Sequence, residues 1–206
     1  EGKWTLEAYK GMLTDFGSDL NGDGMMKTED DLYGLTGWSW ESGFSYLYGA
    51  DFIFTNRDEN GDFSVSFDME KILDLSTKLV DLYKLESVCI STASGTAEHV
   101  KAYGMFAEGR ALFADTVMVN YGTYFTDMTD DFGIVPIPKY DAEQDSYKSY
   151  LGYTIPMMFI TNNTENPERT GTILEALCTA TYDHVTPKMY EVVTKLKNAR
   201  DEDSSE

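Results

Sequence analysis

The sequence predicts an α/β fold, rich in helix and built on a small mixed sheet. Three observations carry this. Two short apolar runs, LYGLTGW (32–38) and RALFAD (110–115), are flanked by longer stretches with helical spacing. Strand and helix signals alternate along the chain rather than segregating. At 206 residues, with 42% apolar and 14% aromatic content, the chain can bury the core of one large domain or two small ones.

The elements follow in order. Trp4-Thr5 opens a helix, with Thr5 as cap, Trp4 packed on Tyr9 as a hydrophobic staple, and Leu6, Tyr9, Leu13 and Phe16 on one face. Gly17 stops it. After a polar loop, LYGLTGW reads as a strand, and SWESGFSYLYGADFIF (39–54) as helical in its middle. Asn60-Gly61 is a turn of the hairpin-making kind. Asp68 caps a helix reaching Glu86, with Met69, Ile72, Leu75, Leu79 and Leu82 at spacings of three or four. Ser91–Thr96 reads as a loop, Ala97–Glu108 as a helix ended by Gly109, RALFAD as a strand, and Val117–Met128 as a short helix. FGIVPIPKY (132–140) is an apolar strand broken by two prolines, so it must leave the sheet or lie at an edge. YDAEQDSYKS is a polar loop and LGYTIPMMFI (151–160) a further apolar run. Asn166-Pro167 and Thr186-Pro187 each place a cap before a first-turn proline and start the last two helices.

Charge limits the partners. Sixteen basic against 36 acidic residues give −20, so no basic surface for nucleic acid is available, and an anionic membrane surface repels the chain. No apolar run approaches the roughly 20 residues of a membrane span. The opening EGKWTLEAY has neither Met nor a basic leader, and NARDEDSSE breaks off inside a helical pattern, so the chain reads as a piece of a longer protein. Cys89 and Cys178 are either two small buried thiols or one disulfide. His99 and His184 are isolated and make no zinc spacing. No G-x-S-x-G, no H-E-x-x-H and no Cys–His pairing appears, so the expectation is a non-enzyme.

DLNGDGMMKTED (19–30) has the spacing of a calcium loop. Asp19, Asn21 and Asp23 match positions 1, 3 and 5, Gly24 the sharp turn, Met25 the carbonyl ligand at 7, and Asp30 position 12. Lys27 stands at position 9, where a cation weakens a site unless it swings outward. The expectation is one structural calcium ion pinning a helix to a strand; the alternative is a polar turn. Asp58–Asp62 lacks the glycine at position 6 and reads as a hairpin turn.

WTLEAYKGML, DGxxxxxDDLYGL, FAEGRALF, FGIVPIPKY and YTIPMMFITNNTENPERT occur in this order. The set resembles the extracellular solute-binding proteins of ABC importers, the sugar-binding group related to maltose-binding proteins. The resemblance implies a periplasmic-binding-protein type II-like lobe, mostly the second of two. It implies a monomer that takes a carbohydrate ligand, meets ABC permease subunits, and works outside the cell, lipid-anchored in the full-length protein or periplasmic. It also implies that about residues 140–185 pack partly against a first lobe. The ligand would lie between lobes, stacked on rings and bonded through hydroxyls. GWSWESGFSYLYG offers Trp38, Trp40 and Phe44 with Glu41 for that task, although aromatics at this spacing also suit a core face. The FAEGRALF junction offers Asp115 and Met118, with Asp115-Thr116 alternatively capping the next helix. Tyr121, Tyr124 and Tyr153 are further aromatic candidates. Two other function classes stay open: a standalone calcium-stabilised carbohydrate-binding or adhesion module, and a glycoside hydrolase fragment with two carboxylates across a cleft.

Overall fold

The computed structural model describes residues 2–27, 29–91, 96–149 and 157–192. They fall into two compact units, residues 1–128 with 136–151, and 129–135 with 152–206.

In the first unit, helix α1 (Leu6–Thr14) starts as its sequence dictates. The Thr5 hydroxyl accepts from Ala8 N, and the Trp4 and Tyr9 rings meet edge to face at 5.2 Å. Strand β1 (Tyr33–Trp38) leads directly into α2 (Ser39–Gly49). The hairpin β2 (Thr55–Arg57) and β3 (Phe63–Val65) follows, then α3 (Met69–Tyr83), whose N-cap Asp68 accepts from Lys71 N. Strand β4 (Val88–Ser91), helix α4 (Thr96–Ala107) and strand β5 (Ala111–Asp115) complete the regular elements.

The expected mixed sheet is instead two sheets. One is parallel, in the order β4-β1-β5, and the other is the antiparallel hairpin β2-β3. The central strand β1 is covered on both faces, which strand alternation reads directly. Leu35 joins the core of Leu6, Tyr9, Leu13, Tyr46, Ala50, Leu75 and Leu82, supplied by α1, α2 and α3. Thr36 points the other way, and its buried hydroxyl donates to Ala102 O of α4. On β5, Phe113 packs with the α1–α3 core, so Ala111 and Asp115 share that face.

Several expectations change. Residues 88–91 form an edge strand where the sequence suggested no element, because pairing with β1 imposes one. The hairpin turn expected at Asp58–Asp62, by contrast, does form: the Asp58 carboxylate accepts from Asn60 N and Asp62 N, and Gly61 takes φ 89°. After β5 the expected short helix forms over Met118–Phe125, not as α-helix but as a 3₁₀ turn (Met118–Asn120) running into a wide π-helical turn (Tyr121–Phe125). Gly122 and the β-branched Val119 and Thr123 favour helix poorly, and the wide turn buries Phe125 against Phe106 at 5.2 Å. Thr116 does not cap it; its hydroxyl accepts from Asn120 Nδ2 at 2.9 Å. FGIVPIPKY forms no strand. Its prolines deny it ladder donors, and only Lys139 pairs with Thr5 as a single parallel bridge, buried beside α1.

In the second unit, α5 (Pro167–Ala180) is capped by Asn166, which accepts from Arg169 N. Thr186-Pro187 does not open a separate helix. A wide turn (Thr181–Val185) carries the chain from α5 straight into α6 (Thr186–Lys188). Pro187 has no N–H to give to an i−4 carbonyl, so it tolerates this irregular run. Cys89 and Cys178 form no disulfide, and Cys178 is exposed rather than buried. Met157–Ile160, the described end of the LGYTIPMMFI run, is irregular and exposed. No helix among the described residues is long and apolar enough to cross a membrane.

Candidate functional site

The strand order puts a switch point at the carboxyl ends of β1 and β5, where the topology calls for a crevice. From β1 the chain leaves on the α1–α3 face, and from β5 it leaves on the α4 face, where Phe125 packs on Phe106 and Tyr103. In open parallel sheets, ligands settle outside the carboxyl ends of strands whose connections diverge in this way. Here the diverging ends are Gly37-Trp38 and Asp115-Thr116, with Gly37 directly opposite Asp115.

The α4 side of the crevice combines polar and aromatic groups. Alternation puts Trp38, half-buried, on the same face as Thr36. Glu41, in the first turn of α2, accepts a 2.6 Å hydrogen bond from the Tyr103 hydroxyl of α4. That hydroxyl also interacts with Thr116, and burial, with the Glu41 bond second, raises its pKa. The Tyr124 ring lies 5.0 Å from that of Tyr103, and Asn120 is held by Thr116. Met118, half-exposed, stands at the rim.

Trp40 and Phe44 take the other side. Their rings meet at 5.1 Å, and with Gly43, Leu47, Leu75 and Leu79 they line a groove of about 360 Å³ between α2 and α3. The passage from β1 into α2 thus separates two tryptophans that are two residues apart in sequence. Trp40 is half-exposed.

Asp115 is not presented to the crevice. It is buried on the core face, where its carboxylate accepts from Tyr46 Oη at 2.7 Å and Tyr9 Oη at 3.5 Å. Burial pushes its pKa up to about 6, against the downward pull of Tyr46, Ser42 and Tyr9. The Ser42 hydroxyl, though near, makes no regular hydrogen bond, and the buried Tyr83 hydroxyl is likewise unbonded. Gly37 makes this possible: a Cβ there would lie 3.0 Å from Asp115 Cβ and 3.1 Å from Ser42 Oγ. Alternation along β5 was the available sign, since Asp115 shares its face with the apolar Ala111 and Phe113. Tyr103 and Asn120 carried no such sign, because only the fold brings them to the strand ends. Tyr153 lies outside the described residues.

The calcium-like loop is a separate feature. Asp19 accepts from Gly22 N and Gly24 N, both at 2.7 Å, and Asp23 accepts from Met25 N and pairs with Lys27. Asn21 Nδ2 lies 3.4 Å from oxygens of both Asp23 and Asp30. The carboxylate that pins the loop is the fully buried Asp31, which accepts from Leu20 N and Lys27 N. The donors are of the hard-oxygen kind that calcium takes. Their arrangement serves the loop's own N–H groups and Lys27. Among the described residues no three His, Cys, Asp or Glu side chains converge as a metal site.

No protein-family model, no curated protein and no solved structure matched this chain.

Proposed function

We propose that this chain is the solute-binding lobe of an extracellular binding protein that holds a carbohydrate and hands it to an ABC import permease. The observation that carries the reading is the strand-end crevice, where the carboxylate of Glu41, the hydroxyls of Tyr103 and Thr116 and the Asn120 amide stand beside the Trp38 and Tyr124 rings. A sugar has hydroxyl rims and apolar C–H faces, and this mixture answers both. The residue order of the sequence supports the same family.

Binding, rather than hydrolysis, suits the carboxylates. Glu41 is tied to Tyr103, and Asp115 is turned into the core on Tyr46 and Tyr9, whereas glycoside hydrolysis uses two carboxyl groups facing across the scissile bond. Helix α5 has no buried side chain and exposes Ile173 and Leu177, as expected of a surface that meets a further part of a longer protein. Transport then follows from two lobes closing on the ligand, with tighter binding to the closed state setting the shift. A standalone binding module is the second reading, favoured by the oxygen-rich loop at 19–30.

Calorimetry and tryptophan fluorescence of the intact protein against a panel of mono- and oligosaccharides test the proposal. A sugar that binds, and binds more weakly to the Glu41→Gln and Trp38→Ala variants, supports it. Release of reducing sugar from the panel points to the hydrolase class. Submicromolar binding by the 206 residues alone favours the standalone module, because half a cleft leaves much of a ligand wet.

A further inference from the structure

The hairpin β2–β3 wears its apolar face outward. Its register pairs Thr55 with Val65 and Arg57 with Phe63, so Phe63 and Val65 project on one side. The ladder continues through Ser66 N to Phe54 O at 3.1 Å, which brings Ile53 and Phe67 to the same side. All four are exposed: Phe63 by 74%, Val65 by 73%, Ile53 by 61% and Phe67 by 47%. The opposite face carries Asn56, Ser64 and Ser66 above the packed pair Phe52 and Phe54, whose rings lie 4.8 Å apart. Both faces of the hairpin tip stand in solvent, so nothing among the described residues of this unit covers the apolar one. A two-stranded hairpin is marginal by itself, and a contiguous apolar surface left bare marks an interaction site.

The charge around this face chooses the occupant. Asp58, Glu59, Asp62, Asp68 and Glu70 are all exposed along the same segment, while Asp51 at its start pairs with Lys148. The only cation between residues 51 and 70 is Arg57, which already lies over the Phe63 ring at 5.2 Å and donates to Gly61 O. A second copy of a −20 chain would set two acidic rims against each other. An anionic bilayer meets the same repulsion.

We propose that this hairpin face docks a protein partner through a segment in which apolar side chains alternate with lysine or arginine. The apolar residues cover Phe63 and Val65, and the cations meet the carboxylate rim, which speeds encounter and sets register. The surface is separate from the crevice, and the proposal holds whatever the crevice binds.

The test uses a synthetic peptide alternating lysine with valine and phenylalanine, and a control with glutamate in place of lysine. Fluorescence anisotropy follows their binding to the protein at low and at physiological salt. The lysine peptide should bind, the glutamate peptide at least about tenfold more weakly, and salt should weaken the former. Phe63→Ser with Val65→Ser should weaken lysine-peptide binding by about tenfold or more, with an unchanged melting temperature because both side chains are already in water. Glu59→Lys with Asp62→Lys, which leaves the apolar face and the Asp58 turn intact, should weaken it comparably. Four results overturn the proposal: no binding of the lysine peptide, equal binding to the Ser/Ser variant, a protein dimer that Phe63→Ser dissolves, or binding to phosphatidylcholine vesicles through the same two residues.

Discussion

Replacing Asp115 by Asn should flatten part of the protein's pH dependence and stabilise it above neutrality. The Asp115 carboxyl is buried and titrates near 6 in place of its ordinary 3.8. Below the ordinary value, folded and unfolded chains both hold the proton and the group adds no pH dependence. Between the two values the unfolded chain releases its proton while the folded chain keeps it, so stability falls as pH rises through that window. Above about 6 both are ionised, and the folded state carries the whole cost of the buried charge. At about 1.4 kcal/mol per pH unit, the interval from 3.8 to about 6 corresponds to about 3 kcal/mol. Asparagine keeps an oxygen for Tyr46, and its amide can donate to the unbonded Ser42 hydroxyl. The variant should therefore gain up to about 3 kcal/mol over the native chain at pH 7.5 and little at pH 4. Urea unfolding at pH 4, 5, 6 and 7.5 measures this. All three tryptophans, Trp4, Trp38 and Trp40, lie in the first unit, so their fluorescence reports its unfolding alone. The other carboxylates titrate in both proteins and cancel in the difference. Parallel profiles, offset by a constant, would show that Asp115 titrates as an ordinary aspartate and would refute the burial argument.

The remaining predictions concern the site, the loop and the core. Tyr103→Phe removes the hydroxyl that Glu41 accepts from; sugar affinity of the intact protein should fall about tenfold or more while the fold, read by circular dichroism, persists. Trp40→Ala should weaken sugar binding if the α2–α3 groove belongs to the ligand site, and unchanged affinity assigns that groove to another role. The loop at 19–30 is expected to take one calcium ion once Lys27 leaves Asp23; calorimetry should show one site, chelation should lower the melting temperature, and Asp23→Ala should abolish both effects. Leu75→Ala, at a fully buried core position, should cost about 2–5 kcal/mol in urea unfolding.

Legibility followed the range of the forces. The first helix, the β1 and β5 strands, the Asp68 cap and the Asn166-Pro167 start depend on residues within a turn or two of one another, and periodicity and capping chemistry expose them in the sequence. Strand β4 depends on β1, more than fifty residues earlier, as its partner, so residues 88–90 carry no element in a local reading and Ser91 falls to the loop that follows. Residues 117–128 do turn helical over Met118–Phe125, but in 3₁₀ and π form. Burial of Phe125 beside Phe106 and Tyr103 accompanies that departure from α geometry. At the site, Trp38, Glu41 and Met118 do reach the strand ends, while Asp115 turned inward because strand alternation, unlike motif position, decides which face a side chain serves.

That inward turn links the core to the crevice. Asp115 and Gly37 face each other across β1 and β5, and only a glycine leaves room there for the carboxylate and the Ser42 hydroxyl. Tyr46, which donates to Asp115, and Ser42 both belong to α2. The helix that carries Glu41 and Trp40 is therefore fastened to the end of β5 from beneath. Seven residues separate the Trp40 ring from its own helix's core contacts near Leu47, so the face of α2 that lines the groove and the face that grips Asp115 are set by one rigid element. A Gly37→Ala substitution presses on that junction while touching no crevice side chain. It should destabilise the first unit through the close contacts at 3.0–3.2 Å, and any loss of ligand affinity it causes must pass through the position of α2. Retained stability with unaltered binding would show that the strand ends tolerate separation and that α2 is not anchored through Asp115.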